Sequence, residues 1–389
     1  MISLTEDKVL DSCLSEILPT DVQGGEFLNS LRQKLTSQLS SSHKIPKPLL
    51  YHILKKTYLI ENLPEGLQSD LKKVYLLNFT RNTTLLEEFI KIQTLFATED
   101  IEIMPLKGMA LLFSVYKDIG LRPMDDIDLL VKRKDYKRAR ELLIVSGYQD
   151  HELPFYYTKM IGRRTVLLDM QHELWYLKTM SGFKSSIYGI ERIWENVQRI
   201  YLEDGKSAKI MEAEDLLIHV VAHAAIDHVK PRLLWLYDII SICESHKEKM
   251  RWDVFLNKVV NYNLGIAFYR LFKLVKENFN GAIPEFVIDE LKPKKNNFFE
   301  ARLYGWFLNN SSITWLGHIL RIFSCSSLSG KIRLVLFYLF PGRELMAERY
   351  KIKNKRLVYF YYPLRAAIFL GRLIKMFFMF TGKKYNIRA

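Results

Sequence analysis

The sequence predicts an α+β protein, with a small mixed β-sheet embedded between N-terminal and C-terminal helical regions. Three observations carry that prediction. Strand-like segments occur only in the middle of the 389-residue chain, in "IEIMPL", "IDLLV" and "TVLLDMQHELW". On either side of them, apolar residues recur at three- and four-residue steps. Turn and cap residues such as Gly108, Asp135 and Gly147 punctuate the middle segments.

The elements follow in order. "SLTE" at 3–6 fits a capping box, and a helix is expected to follow it to about Leu18. "VQGGE" breaks that pattern, and "SSSHKIPKP", 40–48, reads as a loop or linker. A long helix is expected from about Ser69 to Glu99, with Leu76, Phe79, Leu85, Phe89, Ile92 and Phe96 on its apolar face. "IEIMPL" is a short strand, Lys107-Gly108 the turn, and "MALLFSVY" opens a helix. "IDLLV", 127–131, is the next strand. Asp135 can cap the helix "YKRARELLIVS", which Gly147 closes. Residues 165–175 form another strand candidate. Helices are expected from about Glu212 to about residue 325, through "EAEDLLIHVVAHAAI" and "LLWLYDIISICESH". No repeat at a fixed period occurs. The resulting divisions are 1–98, an N-terminal helical region; 99–205, the α/β core; 206–330, a helical domain; and 331–389, a basic, aromatic-rich segment.

An apolar content of 49% with 26% charged residues reads as soluble and globular. Cys13, Cys243 and Cys325 are far apart and have no metal-ligand spacing, which suits a reducing, cytoplasmic setting. The opening "MISLTEDKVLDSC" lacks the order of a signal peptide, and no charge-free run of 18 apolar residues predicts a membrane span. The net charge of +14 invites a nucleic-acid reading, but its distribution argues against one. Residues 331–389 hold 14 Lys and Arg against Glu344 and Glu348, a local +12, so the rest of the chain carries only +2.

The chemistry concentrates in "GLRPMDDIDLLV", 120–131. On a strand, side chains two apart share a face, so Asp126 and Asp128 point together while Ile127 and Leu129 enter the core. Two unpaired carboxylates there are costly, and a hard divalent cation such as Mg²⁺ would offset their repulsion. Asp169, among the apolar residues of "VLLDMQHEL", is expected from a neighbouring strand as the third carboxylate. Such a cluster suits two ions, one activating an attacking hydroxyl and one holding a triphosphate. Lys107 and Gly108, between a strand and a helix start, are candidates for the phosphates, and Arg122 is a second basic candidate for the phosphate tail. The competing structural readings are a solvated strand end for Asp126 and Asp128, a turn role for Asp125, and an ion pair of Asp169 with Arg163 or Arg164.

Those residues carry a resemblance. "PLKGMALLFSVYKDIGLRPMDDIDLLV" resembles the signature of the uncharacterised bacterial nucleotidyltransferase family, a branch of the polymerase-beta-like superfamily. "LLDMQHELW" is similar to its third-carboxylate strand. The later "EDLLIHVVAHAAIDHVKPRLLWLYDIISI" and "LFPGRELMAERY" are similar to its helical and C-terminal segments. The resemblance implies metal-dependent transfer of a nucleotide from a nucleoside triphosphate, with Asp126, Asp128 and Asp169 as metal ligands and Lys107 and Gly108 at the phosphates. Two departures stand out. Met109 offers no hydroxyl after Gly108, and Gln171 stands where the family often has His, with His172 beside it.

Asp238, in "RLLWLYD", could orient an acceptor, but a salt bridge with Arg232 is the plainer expectation. His219 and His223 lie four apart on one helix face and are expected to be packed rather than metal-bound. The expected function is therefore Mg²⁺- or Mn²⁺-dependent transfer of a nucleoside monophosphate to a hydroxyl of a small molecule, glycan, peptide or RNA. The alternatives are a catalytically idle binding protein and a membrane-surface scaffold. In the C-terminal segment, "PLRAAIFLGRLIKMFFMF" reads as an amphipathic helix. Docking on the helical domain with its basic stripe in water is the first expectation, weak peripheral contact with an anionic membrane the second, and nucleic acid the third.

Overall fold

The computed structural model describes residues 46–56, 59–151, 155–174, 189–201, 207–227, 232–262, 264–278, 283–293, 328–341 and 355–380, with single positions between them. The expected first helix, the turn "VQGGE" and most of the linker 40–48 lie outside the described residues, as do 294–321.

Helix α1 (Lys47–Lys56) and the 33-residue α2 (Glu65–Ala97) precede the sheet. The buried stripe of α2 runs Leu71, Asn78, Asn82, Leu85, Phe89, Ile92 and Phe96. Leu76 and Phe79, expected on the apolar face, are exposed instead. The reason is that Asn78 and Asn82 occupy the helical positions that continue the Leu85–Phe89 stripe. Both amides are used: Asn78 Nδ2 donates to the Gly120 carbonyl at 2.7 Å, and Asn82 Nδ2 to the carbonyls of Ile119 at 2.5 Å and Arg122 at 2.8 Å. Buried amides need such partners, and here they clamp the loop that leads into the next strand.

Strand β1 (Ile103–Pro105) runs directly into α3 (Lys107–Ser114). β2 (Ile127–Val131) is buried along its whole length, and α4 (Tyr136–Val145) follows. Asp135 stands at the N-cap of α4 but has helical φ and ψ of −94° and −12°, and its side chain makes no capping bond. Gly147, at φ +95°, ends the helix as expected. The hairpin strands β3 (Gln149–Asp150) and β4 (Tyr156–Ile161), which the periodicity did not indicate, lead into β5 (Arg164–Gln171). The five strands form one sheet in the order β1-β2-β5-β4-β3. Only β2 and β5 are parallel; the other pairs are antiparallel, so the sheet is mixed.

After α5 (Ile190–Glu195), a two-stranded ribbon of β6 (Gln198–Tyr201) and β7 (Ser207–Ile210) straddles the expected boundary at 205. Glu102, beside β1, accepts from both Lys132 and Lys209 and so ties the ribbon to the sheet. The helical part follows, with α6 (Ala213–Ala222), a π-helical turn at His223–Asp227, α7 (Leu233–Ser245), α8 (Trp252–Asn261), α9 (Gly265–Asn278) and α10 (Glu285–Glu290). α6 is buried throughout and packs against α7, α8 and α9. Sheet and helices share one continuous core, from Phe89 through Leu129 and Leu168 to Phe255 and Phe272. Helices α11 (Leu328–Leu339) and α12 (Tyr361–Phe380) follow, with a separate small cluster at Met346, Ala347 and Val358 between them.

Candidate active site

The sheet order makes β2 and β5 parallel neighbours, and their register sets Asp128 beside Asp169. Adjacent strands lie about 4.8 Å apart, so these two carboxylates start from neighbouring Cα atoms. Asp126 shares the face of Asp128 two residues earlier. From the other side, the Leu106 N–H donates to the Asp128 carbonyl at 2.9 Å, which places the start of α3 against the same strand. Lys107 therefore lies within reach, and its Nζ donates to Asp128 Oδ1 at 2.5 Å. Lys107 also has a left-handed φ of +43°, a strained state for a residue with a side chain.

The electrostatics agree with this crowding. Burial, followed by the charge of Asp128, pushes the Asp126 carboxyl up to about 7. The same two causes push Asp169 up to about 6, against bonds from Gln171 and Tyr156 that favour its charged form. Burial opposes the charge on Lys107, but Asp128 outweighs it, with help from Asp169 and Asp126, and holds the ammonium above its ordinary value. Three crowded carboxylates with one ammonium between them are hard oxygen donors that fit a divalent cation. Among the described residues, however, no three acidic, histidine or cysteine side chains close into a finished metal cage. The Lys107 ammonium holds Asp128, and Gln171 Nε2 holds Asp169 at 2.6 Å.

The other candidates are placed as follows. Asp169 meets neither Arg163 nor Arg164; Arg164 stands at the opposite end of β5, paired across with Ile161. Asp125 is exposed and pairs with Arg81 of α2 at 2.8 Å, a turn role. A cavity of about 350 Å³ opens there, lined by Arg81, Thr84, Asp125, Arg164 and Thr165. Gly108 is required by packing, since a Cβ would meet Met124 Sδ at 2.8 Å and would strike the Arg122 guanidinium. His172 lies against Tyr136, with ring centroids 4.8 Å apart. His219 is buried in α6, and His223 stands edge-on to Trp235 at 5.4 Å.

Arg122 requires a correction. Expected at the phosphate tail, it is only 7% exposed. Its Nε and Nη2 form a bidentate pair with Asp238 on α7, at 2.9 and 2.8 Å. Tyr116 Oη donates to the same carboxylate at 2.6 Å. Asp238 is 0% exposed and so stands inside the fold, not on a helix surface. The expected Arg232–Asp238 bridge does not form either, and the Arg232 guanidinium lies over the Trp235 ring. Burial works against the Arg122 charge, but Asp238 holds the guanidinium above its ordinary value.

Lys107, Asp126, Asp128 and Asp169 thus lie together at one place on the sheet. A family model described as uncharacterised nucleotidyltransferase matches residues 32–280, well over half of the chain. The chain belongs to that nucleotidyltransferase family. It is a transferase enzyme of α+β fold.

Two solved structures match the chain at low similarity. The antibiotic-resistance factor ANT(2'')-Ia is 16% identical, with a TM-score of 0.33 over 50% of this chain and 97% of that one. A tRNA-processing enzyme in its apo form is 10% identical, with a TM-score of 0.23 over 79% of this chain and 94% of that one. No curated protein matches.

The sequence pattern did not reveal the residues that support this candidate site. Asn78 and Asn82 were legible as polar residues continuing an apolar helical stripe. Gln171 was legible as sharing the face of Asp169. Nothing local marks Tyr116 as a partner of Asp238, because they are 122 positions apart.

Proposed function

We propose that this nucleotidyltransferase moves a nucleoside monophosphate from a nucleoside triphosphate to an acceptor hydroxyl, with Mg²⁺ or Mn²⁺ held by Asp126, Asp128 and Asp169. The observation that carries the reading is the register of β2 and β5, which sets Asp128 beside Asp169 with Lys107 at 2.5 Å. The acceptor oxygen forms a bond to the α-phosphorus, the bond to the bridging oxygen breaks, and pyrophosphate leaves with that electron pair. Asp169, set beside Asp128 by the strand register and accepting from Gln171, would take the hydroxyl proton. Lys107 is a point charge at the N-terminal end of α3, where a helix dipole favours phosphate oxygens. Gly108 keeps that turn close against Arg122 and Met124. A divalent ion, when bound, supplies neutralisation of phosphate charge and activation of the hydroxyl. The acceptor belongs to the hydroxyl-bearing classes: a small molecule, glycan, peptide or RNA.

Thermal melting with Mn²⁺ alone, each triphosphate alone, and both together tests the proposal. Stabilisation with ion and triphosphate combined is expected to exceed the sum of their separate effects, since a ligand that binds the native state must stabilise it. Incubation of α-labelled triphosphates with cell extract should then transfer label to an acceptor. No joint stabilisation and no transferred label with any of the common triphosphates would reject it.

A further inference from the structure

Helix α12 turns its apolar side outward. Leu364, Ile368, Leu370 and Ile374 are 49, 38, 56 and 53% exposed. At 100° per residue they span an arc of about 160°. Of the basic residues Arg365, Arg372 and Lys375, expected to face water, the two arginines are half-buried and Lys375 is exposed. The Arg365 Nε donates to the Tyr338 carbonyl of α11 at 2.6 Å, and Tyr362 Oη donates to the Pro341 carbonyl at 2.7 Å. α12 is thereby fastened to α11 through its polar side. Leu373 is the one described α12 side chain packed on the main core.

α11 repeats the pattern. Leu328, Ile332, Leu336 and Phe340 recur every four residues along one side, and all are exposed. Soluble chains rarely leave such stripes uncovered without a partner. Charge identifies the partner. The segment 331–389 carries +12, whereas the body is near neutral. A segment that joins outward apolar stripes to a net charge of +12 complements anionic headgroups over acyl chains.

We propose that α11 and α12 form a membrane-binding surface that lies in the headgroup–acyl boundary of an anionic lipid bilayer. The proposal is independent of the transferase reading. The stretch Leu357–Lys375, 19 residues and 6% buried, is long and apolar enough to cross a membrane by length and composition, although it is not free of charge. Crossing would carry Arg365 and Arg372 into hydrocarbon, whereas lying at the boundary leaves them beside headgroups. A nucleic acid would satisfy the positive charge and leave both apolar stripes in water.

Sedimentation of the full chain with vesicles of phosphatidylcholine, alone or mixed with phosphatidylglycerol, tests this. Binding to the anionic vesicles is expected to exceed that to the neutral ones by at least about 10-fold, and to weaken as salt screens the charges. The double variant Leu364→Asp/Ile368→Asp should lose about 10-fold or more of that binding while melting like the parent, because both side chains face outward. Ile332→Asp/Leu336→Asp on α11 gives the same reading from the second helix if the first variant unfolds. Three results would overturn the proposal. One is equal or absent binding to the two vesicle types. Another is a dimer in vesicle-free solution that the aspartate variants dissociate, which would assign the stripes to a second copy. The third is an RNA that binds as tightly as the anionic vesicles and is unaffected by the aspartate variants.

Discussion

Asp128 has neighbours of both signs: the Lys107 ammonium at 2.5 Å, and the crowded carboxyls of Asp126 and Asp169. The acids are therefore not equivalent. Removing the charge of Asp128 strands Lys107 in a buried place, whereas removing that of Asp126 relieves repulsion and leaves the Lys107 pair intact. Without ions, Asp126→Asn is expected to stabilise the fold at pH 8 by roughly 1–2 kcal/mol after allowance for partial exposure, and so to raise the melting temperature. Asp128→Asn is expected to lower it. The sign follows from linkage. The folded pKa of Asp126, about 7, lies above its ordinary 3.8, so its ionisation costs stability in full above pH 7. That cost shrinks as pH falls toward 3.8 and is absent below it. The advantage of Asp126→Asn should shrink over the same window, and melting curves at pH 8, 6 and 4 check it. A second prediction concerns Lys107, which competes with added cations for Asp128. Lys107→Met should bind Mn²⁺ several-fold more tightly without nucleotide, yet lose joint stabilisation by Mn²⁺ and triphosphate. Titration of Mn²⁺ followed by paramagnetic resonance reads the first effect; unchanged affinity would mean the ammonium does not compete.

Among the elements, the loop 118–125 connects three of them to the site. α2 grips it through Asn78, Asn82 and Arg81, and α7 grips it through Asp238 and Arg122. The loop then delivers Asp126 and Asp128 to β2, so Asp238 positions the site without facing it. Arg122→Met leaves a fully buried carboxylate unpaired, and a loss of about 3–5 kcal/mol is expected. The double change Arg122→Met/Asp238→Leu should recover much of that, since the penalty lies mainly in the unpaired charge. Denaturant unfolding of the two variants checks it, and equal losses in both would mean that the ion pair is not the cause. This pair also shows why element patterns were only partly legible. Strand β2 was readable to the residue, because alternation of Asp126, Ile127, Asp128 and Leu129 reports a local geometry. The stripe of α2 was misplaced because Asn78 and Asn82 are core residues of polar type. The strands β3 and β4 were not legible: β3 is two residues long and exposed, and β4 carries Lys159, whose burial depends on Glu88 of α2 at 2.6 Å.

For the molecule as a whole, body and tail differ in charge and in packing. The body has a continuous core from α1 to α10, whereas α12 adds only Leu373 to it among the described residues. A chain ending at residue 327 is therefore expected to melt within a few degrees of the full chain and to keep its response to Mn²⁺ and triphosphate. A much larger drop, or insolubility, would show that α11 and α12 cover the body.

Local chemistry was written in the chain: the acid pair on β2, the Lys-Gly turn between strand and helix, the third acid within an apolar strand, and the separation of charge between body and tail. Each depends on backbone periodicity or on counting, which operate over a few residues or over none. The tertiary structure decided the partners. It gave Lys107 to Asp128, gave Arg122 to an aspartate 116 positions away, and turned the apolar side of α12 outward. Those choices depend on which elements pack together, and a buried charge takes whichever opposite charge the packing brings within reach, however distant in sequence.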